Sequence, residues 1–305
     1  MKILILGNSS IFQRKIYKSL IKFKKLSIEV ASKRKLKLNS KIKIYNTYKD
    51  AIDQTEAKIV YISLINSEHF KWALYSLKNL KHVLIDKPFT INLKQTKTLI
   101  KFANKKKLLL SEAVVFHKHQ QFQKLFSMIN LKKKTNIIAS FHIPKLNKNN
   151  FRNYKKYGGG CFLDMSPYAA YLIHLFLRNN KYTINKLYRN KNVKDLDKFF
   201  SIIVNSSKVK ILASFKFNSE YKNQIIVQNN SKKYYINYAF SPPINKPVSM
   251  KIFDELKKKE YKLYFKKQNT FDVYFSELFV LLKKKKYNFF YNEIEKISKI
   301  RKKIC

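Results

Sequence analysis

Asp164 and Tyr168 stand four residues apart, directly behind three consecutive glycines, in the stretch YGGGCFLDMSPY that runs from Tyr157 to Tyr168. If the segment is helical, that spacing puts both side chains on one face. A carboxylate and a phenol placed together can hold a substrate hydroxyl and move its proton. A phenol alone is a poor base at neutral pH, with an ordinary pKa of ~10, and a neighbouring ammonium would lower it. The glycines add weight to the segment. The chain has 4 glycines in 305 residues, and three of them are Gly158, Gly159 and Gly160. Glycine reaches positive φ and lets other groups approach the backbone closely, so glycines kept in so poor a chain mark positions that need them. A β-branched residue at Gly159 is expected to be costly on the same ground. Pro167 is compatible with the first turn of a helix.

Three further pieces fall at the ends of strand-like runs. Gly7-Asn8-Ser9-Ser10-Ile11-Phe12 occupies the place of a G-x-G-x-x-G fingerprint, with Ser9 and Phe12 at the second and third glycine positions. The turn is weak as a dinucleotide signal, and an ordinary strand-to-helix turn fits it equally well. Backbone N–H groups around Gly7, Ser9, Ser10 and Ile11 can still hold a pyrophosphate where a helix begins. Ser32-Lys33-Arg34 follows the second strand, where an NAD site carries an acid for the ribose 2′-hydroxyl. A hydroxyl and two cations suit a 2′-phosphate instead, which favours NADP over NAD. Asp86-Lys87-Pro88 closes another strand, and its lysine can reach a cofactor ribose and a substrate oxygen. A solvated turn lysine is the alternative.

These pieces need a frame, and the hydrophobic pattern supplies one. A continuous apolar run at residues 2–7 reads as a strand buried on both faces, and residues 27–32, 58–64, 82–85 and 108–110 read as further strands. Helical spacing separates them: Phe12, Ile16 and Leu20 in the first segment, then Phe70, Ala73, Leu74 and Leu77, then Leu93, Leu99, Ile100 and Ala103 with Asn92 as the N-cap. Alternating strands and helices give a parallel sheet with right-handed crossovers. The alternation stops near residue 120. Beyond it, residues 136–143, 198–205, 209–217, 224–228 and 233–238 read as strands of a mostly antiparallel sheet. Two helices follow, around 271–282 and 292–303. The expectation is an α/β Rossmann-like domain over 1–118 and an α+β domain with a mostly antiparallel open sheet over 119–305.

Composition narrows the function. The formal net charge is +47, from 65 Lys+Arg against 18 Asp+Glu. Only Arg14, Arg34, Arg152, Arg178, Arg189 and Arg301 are arginine, and lysine recurs in nearly every ten-residue block. A nucleic-acid surface would concentrate its cations and use arginine to read phosphate bidentately, so nucleic acid is not the expected partner. Cys161 and Cys305 suggest no disulfide framework, which fits a reducing cytoplasm. No apolar run approaches the ~20 residues that span a bilayer, so no membrane association is expected. His117 and His119 have no third ligand at sensible spacing, and no metal site is expected. His174 is read as a packed or capping residue.

The pieces together resemble the Gfo/Idh/MocA family of glucose–fructose oxidoreductase, inositol dehydrogenase and their relatives. The run VYISLINSEH from Val60 to His69, followed by Trp72-Ala73-Leu74, resembles the family's strand, Asn-containing loop and H-x-x-x-A-L helix. KHVLIDKP from Lys81 to Pro88 resembles K-H-V-L-x-E-K-P, with Asp86 in place of Glu. Glu112-Ala113 through His119 resembles E-A-F-M-Y-R-F-H-P, and the glycine segment resembles G-G-G-x-L-x-D-x-G-x-[HY]. The resemblance implies catalytic or substrate-orienting roles for Lys87, Asp164 and Tyr168. It implies a cofactor side lined by His69, Asp86 and Glu112, with Asn66 beside the nicotinamide ribose. It also implies an NAD(P)-dependent oxidoreductase acting on a secondary hydroxyl or ketone of a sugar or sugar nucleotide, assembled through its C-terminal sheet. Ser9 and Phe12 depart from the family's turn. A non-catalytic binding or scaffold relative is therefore the other reading.

Overall fold

The computed structural model describes residues 1–33, 42–178, 180–191 and 196–305. Its first sheet is built from β1 (Lys2–Leu6), β2 (Ser27–Ala31), β3 (Lys43–Tyr45), β4 (Ile59–Ile62), β5 (His82–Asp86) and β6 (Leu110–Ala113). The intervening helices are α1 (Tyr17–Leu20), entered through a π-helical turn over Phe12–Ile16, then α2 (Tyr48–Gln54), α3 (His69–Lys78) and α4 (Leu93–Lys105). All neighbouring strands are parallel, in the order β3-β2-β1-β4-β5-β6. That order reverses between β1 and β4, and such a switch point opens a crevice at the carboxyl ends of the two strands. Ile3, Leu4, Ile5 and Leu6 are all fully buried, the reason β1 reads as an unbroken apolar run. The Asn92 side chain accepts from the Gln95 N–H at 3.0 Å, capping α4 as its sequence position predicts.

The chain continues through α5 (Gln120–Met128), β7 (Thr135–His142) and α6 (Cys161–Leu177). Seven strands follow: β8 (Thr183–Lys191), β9 (Asp197–Asn205), β10 (Val209–Lys216), β11 (Lys222–Asn229), β12 (Lys232–Asn237), β13 (Val248–Asp254) and β14 (Lys259–Phe265). The sheet order is β14-β13-β12-β11-β7-β10-β9-β8, antiparallel at every junction except β7 with β10. α6 packs on β9 and β10. There Phe162 meets Phe200 edge-on at 5.1 Å, and Phe200 stacks on Phe215 at 4.7 Å. Two helices close the chain, α7 (Thr270–Lys283) and α8 (Asn288–Lys303).

The chain divides into two compact units. The first is Met1–Val114 with Phe271–Lys299, and the second is Val115–Thr270 with Ile300–Cys305. The sequence reading had grouped everything after residue 118 together; α7 and most of α8 instead join the first unit. The cause is specific. Phe275 is fully buried with its ring 6.0 Å from Tyr61, the Tyr274 hydroxyl donates to Ser111 Oγ at 3.0 Å, and the Tyr291 hydroxyl donates to the Leu108 carbonyl.

Buried imidazoles give the fold a pH dependence. Burial lowers the pKa of His82 and His142 to about 4 and of His117 to about 3, and lowers that of His69 as well. The unfolded chain, with imidazoles near ~6.5, therefore binds more protons than the folded one between pH ~6.5 and 4, and stability falls as pH falls through that window. Asp86, whose carboxyl is raised by burial, acts in the opposite sense, as one group against four. The urea midpoint is expected to drop measurably between pH 7 and pH 5, and a constant midpoint would contradict this account.

Candidate active site

In the first unit, the candidate residues gather at the carboxyl ends of β1, β4 and β5. Gly7 ends β1 with φ +99°, and a Cβ there would lie 2.4 Å from the Ser63 carbonyl oxygen. Only glycine lets the turn pass so close to the end of β4. Ser9 acts as an N-cap: its Oγ accepts from the Phe12 N–H at 3.0 Å and its carbonyl from the Gln13 N–H at 3.1 Å. Its hydroxyl lies 2.6 Å from Ser63 Oγ, so the Ser9 side chain is turned toward β4. Phe12 is fully buried, its ring 5.9 Å from Tyr17, and the helix opens with a wider π turn at that residue. Ser10 and Ile11 stand first and second behind the cap, where N–H groups have no acceptor within the helix.

Lys87 follows β5 in a segment fixed from three directions. Before it, the Asp86 carboxylate accepts from the Tyr61 hydroxyl at 2.5 Å and from Ser63 Oγ at 2.6 Å. After it, the Pro88 carbonyl lies 2.8 Å from His69 Nδ1, and the Phe89 N–H donates to Glu112 Oε1 at 2.8 Å. The Lys87–Pro88 peptide is cis. His69 is fully buried and its Nε2 faces the Leu64 carbonyl at 3.1 Å. Two acceptors for two ring nitrogens would suit an imidazolium, but burial lowers the pKa, with the backbone carbonyls opposing less strongly. The neutral ring is then assigned its N–H at Nδ1, which makes the shorter contact. Burial, helped by Asp86, raises the Tyr61 hydroxyl far above its usual range, which keeps it a donor. Asn66 is buried in the turn that opens α3. His69, Asp86 and Glu112 thus hold the backbone that carries Lys87.

At the end of β2, the Ser32 N–H bonds the Tyr45 carbonyl at 3.0 Å and Ser32 is buried. Lys33 Nζ sits over the Tyr48 ring, 5.7 Å from its centroid, at the start of α2. Arg34 lies outside the described residues. A broad depression lined by Met1, Lys2, Lys24, Lys25 and Glu56 lies at the amino end of β1, away from all of these groups.

In the second unit, the glycine segment leads into α6. The N–H groups of Gly159 and Gly160 donate to the carbonyls of Tyr154 and Arg152, each at 3.0 Å. A Cβ on Gly159 would stand 2.6 Å from the Arg152 carbonyl oxygen and 2.7 Å from that of Tyr154. Gly159 is therefore required by close backbone approach, whereas positive φ belongs to Gly158 and Gly160. Arg152 then folds its guanidinium back, and Nε pairs with Asp164 Oδ1 at 3.0 Å. The Phe162 N–H donates to the Asp197 carboxylate, a negative charge at the start of a long helix. Asp164 and Tyr168 share α6, as their spacing predicts. Pro167 lies in the second turn, not the first, so no N–H meets the Leu163 carbonyl. Tyr168 is half-buried among Phe116, Phe141 and Phe240, with centroids 5.8, 5.2 and 5.4 Å away. His117 stacks on Tyr171 at 5.2 Å, and His119 Nδ1 accepts from the Gln121 N–H at 3.3 Å. His174 packs edge-on against Tyr171. No group of three or more His, Cys, Asp or Glu among the described residues is placed to hold a metal, and no described helix is long and apolar enough to cross a membrane. The sequence reading missed Tyr61, Ser63, Arg152 and Asp197.

Residues 1–114 match the family described as an oxidoreductase family with an NAD-binding Rossmann fold. Over that stretch the chain is similar to the Gfo/Idh/MocA oxidoreductases. A dTDP-3,4-didehydro-2,6-dideoxy-alpha-D-glucose 3-reductase of Actinomadura kijaniata is 25% identical over 201 residues, covering 64% of this chain and 60% of its own. The D-xylose 1-dehydrogenase (NADP(+)) of Hypocrea jecorina is 36% identical over 72 residues, which cover 24% of this chain and 18% of its own. The chain thus matches about 60% of the length of the reductase. A solved 3-ketoreductase from Actinomadura kijaniata, in complex with NADP and TDP-benzene, superposes with TM-score 0.89 at 19% identity, covering 99% of this chain and 96% of that one. A UDP-N-acetylglucosamine 3-dehydrogenase from Acidithiobacillus ferrooxidans gives TM-score 0.78 at 11% identity, covering 100% and 96%. Both share the two-domain fold.

Gly159→Val is expected to destabilise the second unit by about 1–3 kcal/mol, because the added side chain must push the Arg152 and Tyr154 carbonyls away, lowering the melting temperature by several degrees. Lys181→Ala, an exposed control, should leave it unchanged. Equal melting temperatures for the two variants would remove the close-approach argument.

Proposed function

We propose that the protein is an NADP-dependent oxidoreductase acting on a secondary hydroxyl or ketone of a sugar or sugar nucleotide. The observation that carries this reading is Lys87, held on a segment fixed from three directions at the carboxyl end of β5, together with Asp164 and Tyr168 on one face of α6. The Actinomadura relative, named for reduction of a dTDP-linked keto sugar, supports the substrate class. The first unit fits a dinucleotide: a Cβ on Gly7 would strike the end of β4, so the turn stays close to the switch point, and a helix begins directly behind it, where backbone N–H groups can bind phosphate. Gly7, Ser10 and Ile11 would hold the pyrophosphate, and Asn66 the nicotinamide ribose. When bound, the cofactor supplies or accepts the hydride.

In the reducing direction, Lys87 polarises the substrate oxygen and Tyr168 delivers the proton that turns it into a hydroxyl. In the oxidising direction, Tyr168 takes that proton back. Asp164, paired with the Arg152 guanidinium, accepts a hydrogen bond from a substrate hydroxyl. The aromatic walls around Tyr168 fix its ring so that only its hydroxyl is presented. Ser9 and Phe12 favour a second reading, in which the turn no longer binds cofactor and the chain is a non-catalytic binding or scaffold protein.

The second-unit sheet is the proposed assembly surface. Ile203, Leu212, Ile138, Ile226 and Tyr235 are in register across β9, β10, β7, β11 and β12. Leu212 and Ile138 are 37% and 48% exposed. A second copy of the chain would cover this apolar row. Ile138→Lys is expected to halve the mass seen by sedimentation; an unchanged mass would refute this interface.

Two measurements test the enzyme reading. Lys87→Met and Tyr168→Phe should each reduce turnover of a dTDP-linked keto sugar ~10²–10⁴-fold while leaving the melting temperature in place. Near-normal turnover in both would remove them from the mechanism. Calorimetric titration at physiological salt should show NADPH bound at least tenfold more tightly than NADH, since a charge-assisted contact is worth ~1.5–3 kcal/mol, and Lys33→Glu should erase the preference. Binding of neither cofactor by folded protein would establish the second reading instead.

A further inference from the structure

We propose that Asp86 is a positioning residue that ties the phosphate turn to the Lys87 segment through the chain Ser9–Ser63–Asp86, and so does the work of the missing second glycine. This rests on the cofactor reading above. The argument begins with counting hydrogens. Ser63 has one hydroxyl hydrogen, and it goes to Asp86 Oδ2 at 2.6 Å. The 2.6 Å contact between Ser9 and Ser63 must then be donated by Ser9. Ser9 Oγ keeps its lone pairs for the Phe12 N–H at 3.0 Å. The bonds then run one way: amide to Ser9, Ser9 to Ser63, Ser63 to Asp86, with Tyr61 donating to the other carboxyl oxygen at 2.5 Å.

Three consequences follow for the turn. The Ser9 hydroxyl is committed inward, to Ser63. The Phe12 N–H is used by the cap, which leaves Ser10 and Ile11 as the helical donors. The turn after β1 is also fastened, through two hydroxyls, to the residue that precedes Lys87. In a fingerprint with glycine at the second position, nothing but backbone fixes that distance. Here a hydrogen-bonded chain in the partly buried crevice sets it. It fixes the spacing between the group that holds the cofactor's phosphates and the group that works beside its reactive end.

The test is a double-mutant cycle on the full chain, with NADPH as the probe. Asp86→Asn keeps the shape but offers an amide N–H, so one hydroxyl must turn round and the chain of donors breaks. Ser9→Gly restores the fingerprint residue and removes the other end. Each is expected to weaken NADPH binding about fivefold or more. Because both cut one network, the double variant should lie within about threefold of the weaker single variant rather than at the product of the two losses. The emission maximum of bound NADPH should shift in Ser9→Gly, although that change touches only the phosphate turn; a purely structural role would leave it fixed. Urea midpoints confirm folding, and Ser63→Ala, which interrupts the chain without changing charge, replaces Asp86→Asn if that variant does not fold. Losses that multiply, singles that bind like wild type, or an unmoved emission maximum each overturn the proposal. Wild-type protein that binds no NADPH overturns the cofactor reading and this inference with it, whereas wild-type binding with multiplicative losses overturns the inference alone.

Discussion

A hydroxyl has one hydrogen to give, and the carboxyl end of the first sheet is organised around that limit. Tyr61 on β4 and Ser63 just past its end stand two residues apart, on one side of the extended chain, so that both reach the Asp86 carboxylate. Once they are committed to it, the direction of the neighbouring bonds is settled as far as the Phe12 amide. A half-satisfied buried network costs more than none. The arrangement therefore holds as a unit: turn, β4 end and Lys87 segment keep one geometry together. His69 and Glu112 serve the same segment from its other side, through the Pro88 carbonyl and the Phe89 N–H.

The second unit solves its own positioning problem with charge. Arg152 gives its carbonyl to Gly160 and its guanidinium to Asp164, so one residue fixes both the approach of the chain and the carboxylate. Arg301, also buried, donates from Nε to Ser166 Oγ at 3.1 Å, one helical turn from Asp164 or less. Lysine is abundant and arginine scarce in this chain. Two of the six arginines anchor α6, where a planar, directional donor does what a flexible ammonium cannot. Surface pairs such as Lys49–Asp53 and Lys251–Glu260 contribute little by comparison.

Much of this was legible in the residues. Buried parallel strands announce themselves as apolar runs, and β1, β4 and β5 did so. Lys87, Asp164 and Tyr168 stood out by their neighbours, and the helix bearing the last two was legible as a conditional. The strand β14 was not, because exposed lysines and tyrosines break its alternation: residues 259–262 are all exposed; β13 does alternate and was passed over. The inward turn of Ser9 was hidden for a different reason. Sequence position marked Ser9 only as a departure from the family's turn, and the location of Ser63 across the switch point shows where its hydroxyl goes. Asp197 carried no local signal at all, since it reaches the start of α6 from another strand. Arg152 carried a signal that went unused: in a chain whose basic residues are nearly all lysine, an arginine beside the glycine segment marks a place where geometry matters.

The return of α7 and most of α8 to the first unit bears on how the molecule comes to exist. Residues 115–270 lie between the strands of that unit and the helices that complete it. During synthesis at roughly 5–20 residues per second, all six parallel strands leave the ribosome well before Phe275, Tyr274 and Tyr291 are made. Until then Tyr61 lacks the aromatic neighbour that later buries it, and the Ser111 hydroxyl and Leu108 carbonyl lack their donors. The nascent sheet must wait with one flank open while the whole second unit is produced. A fragment cut at residue 118 would be held in that waiting state permanently.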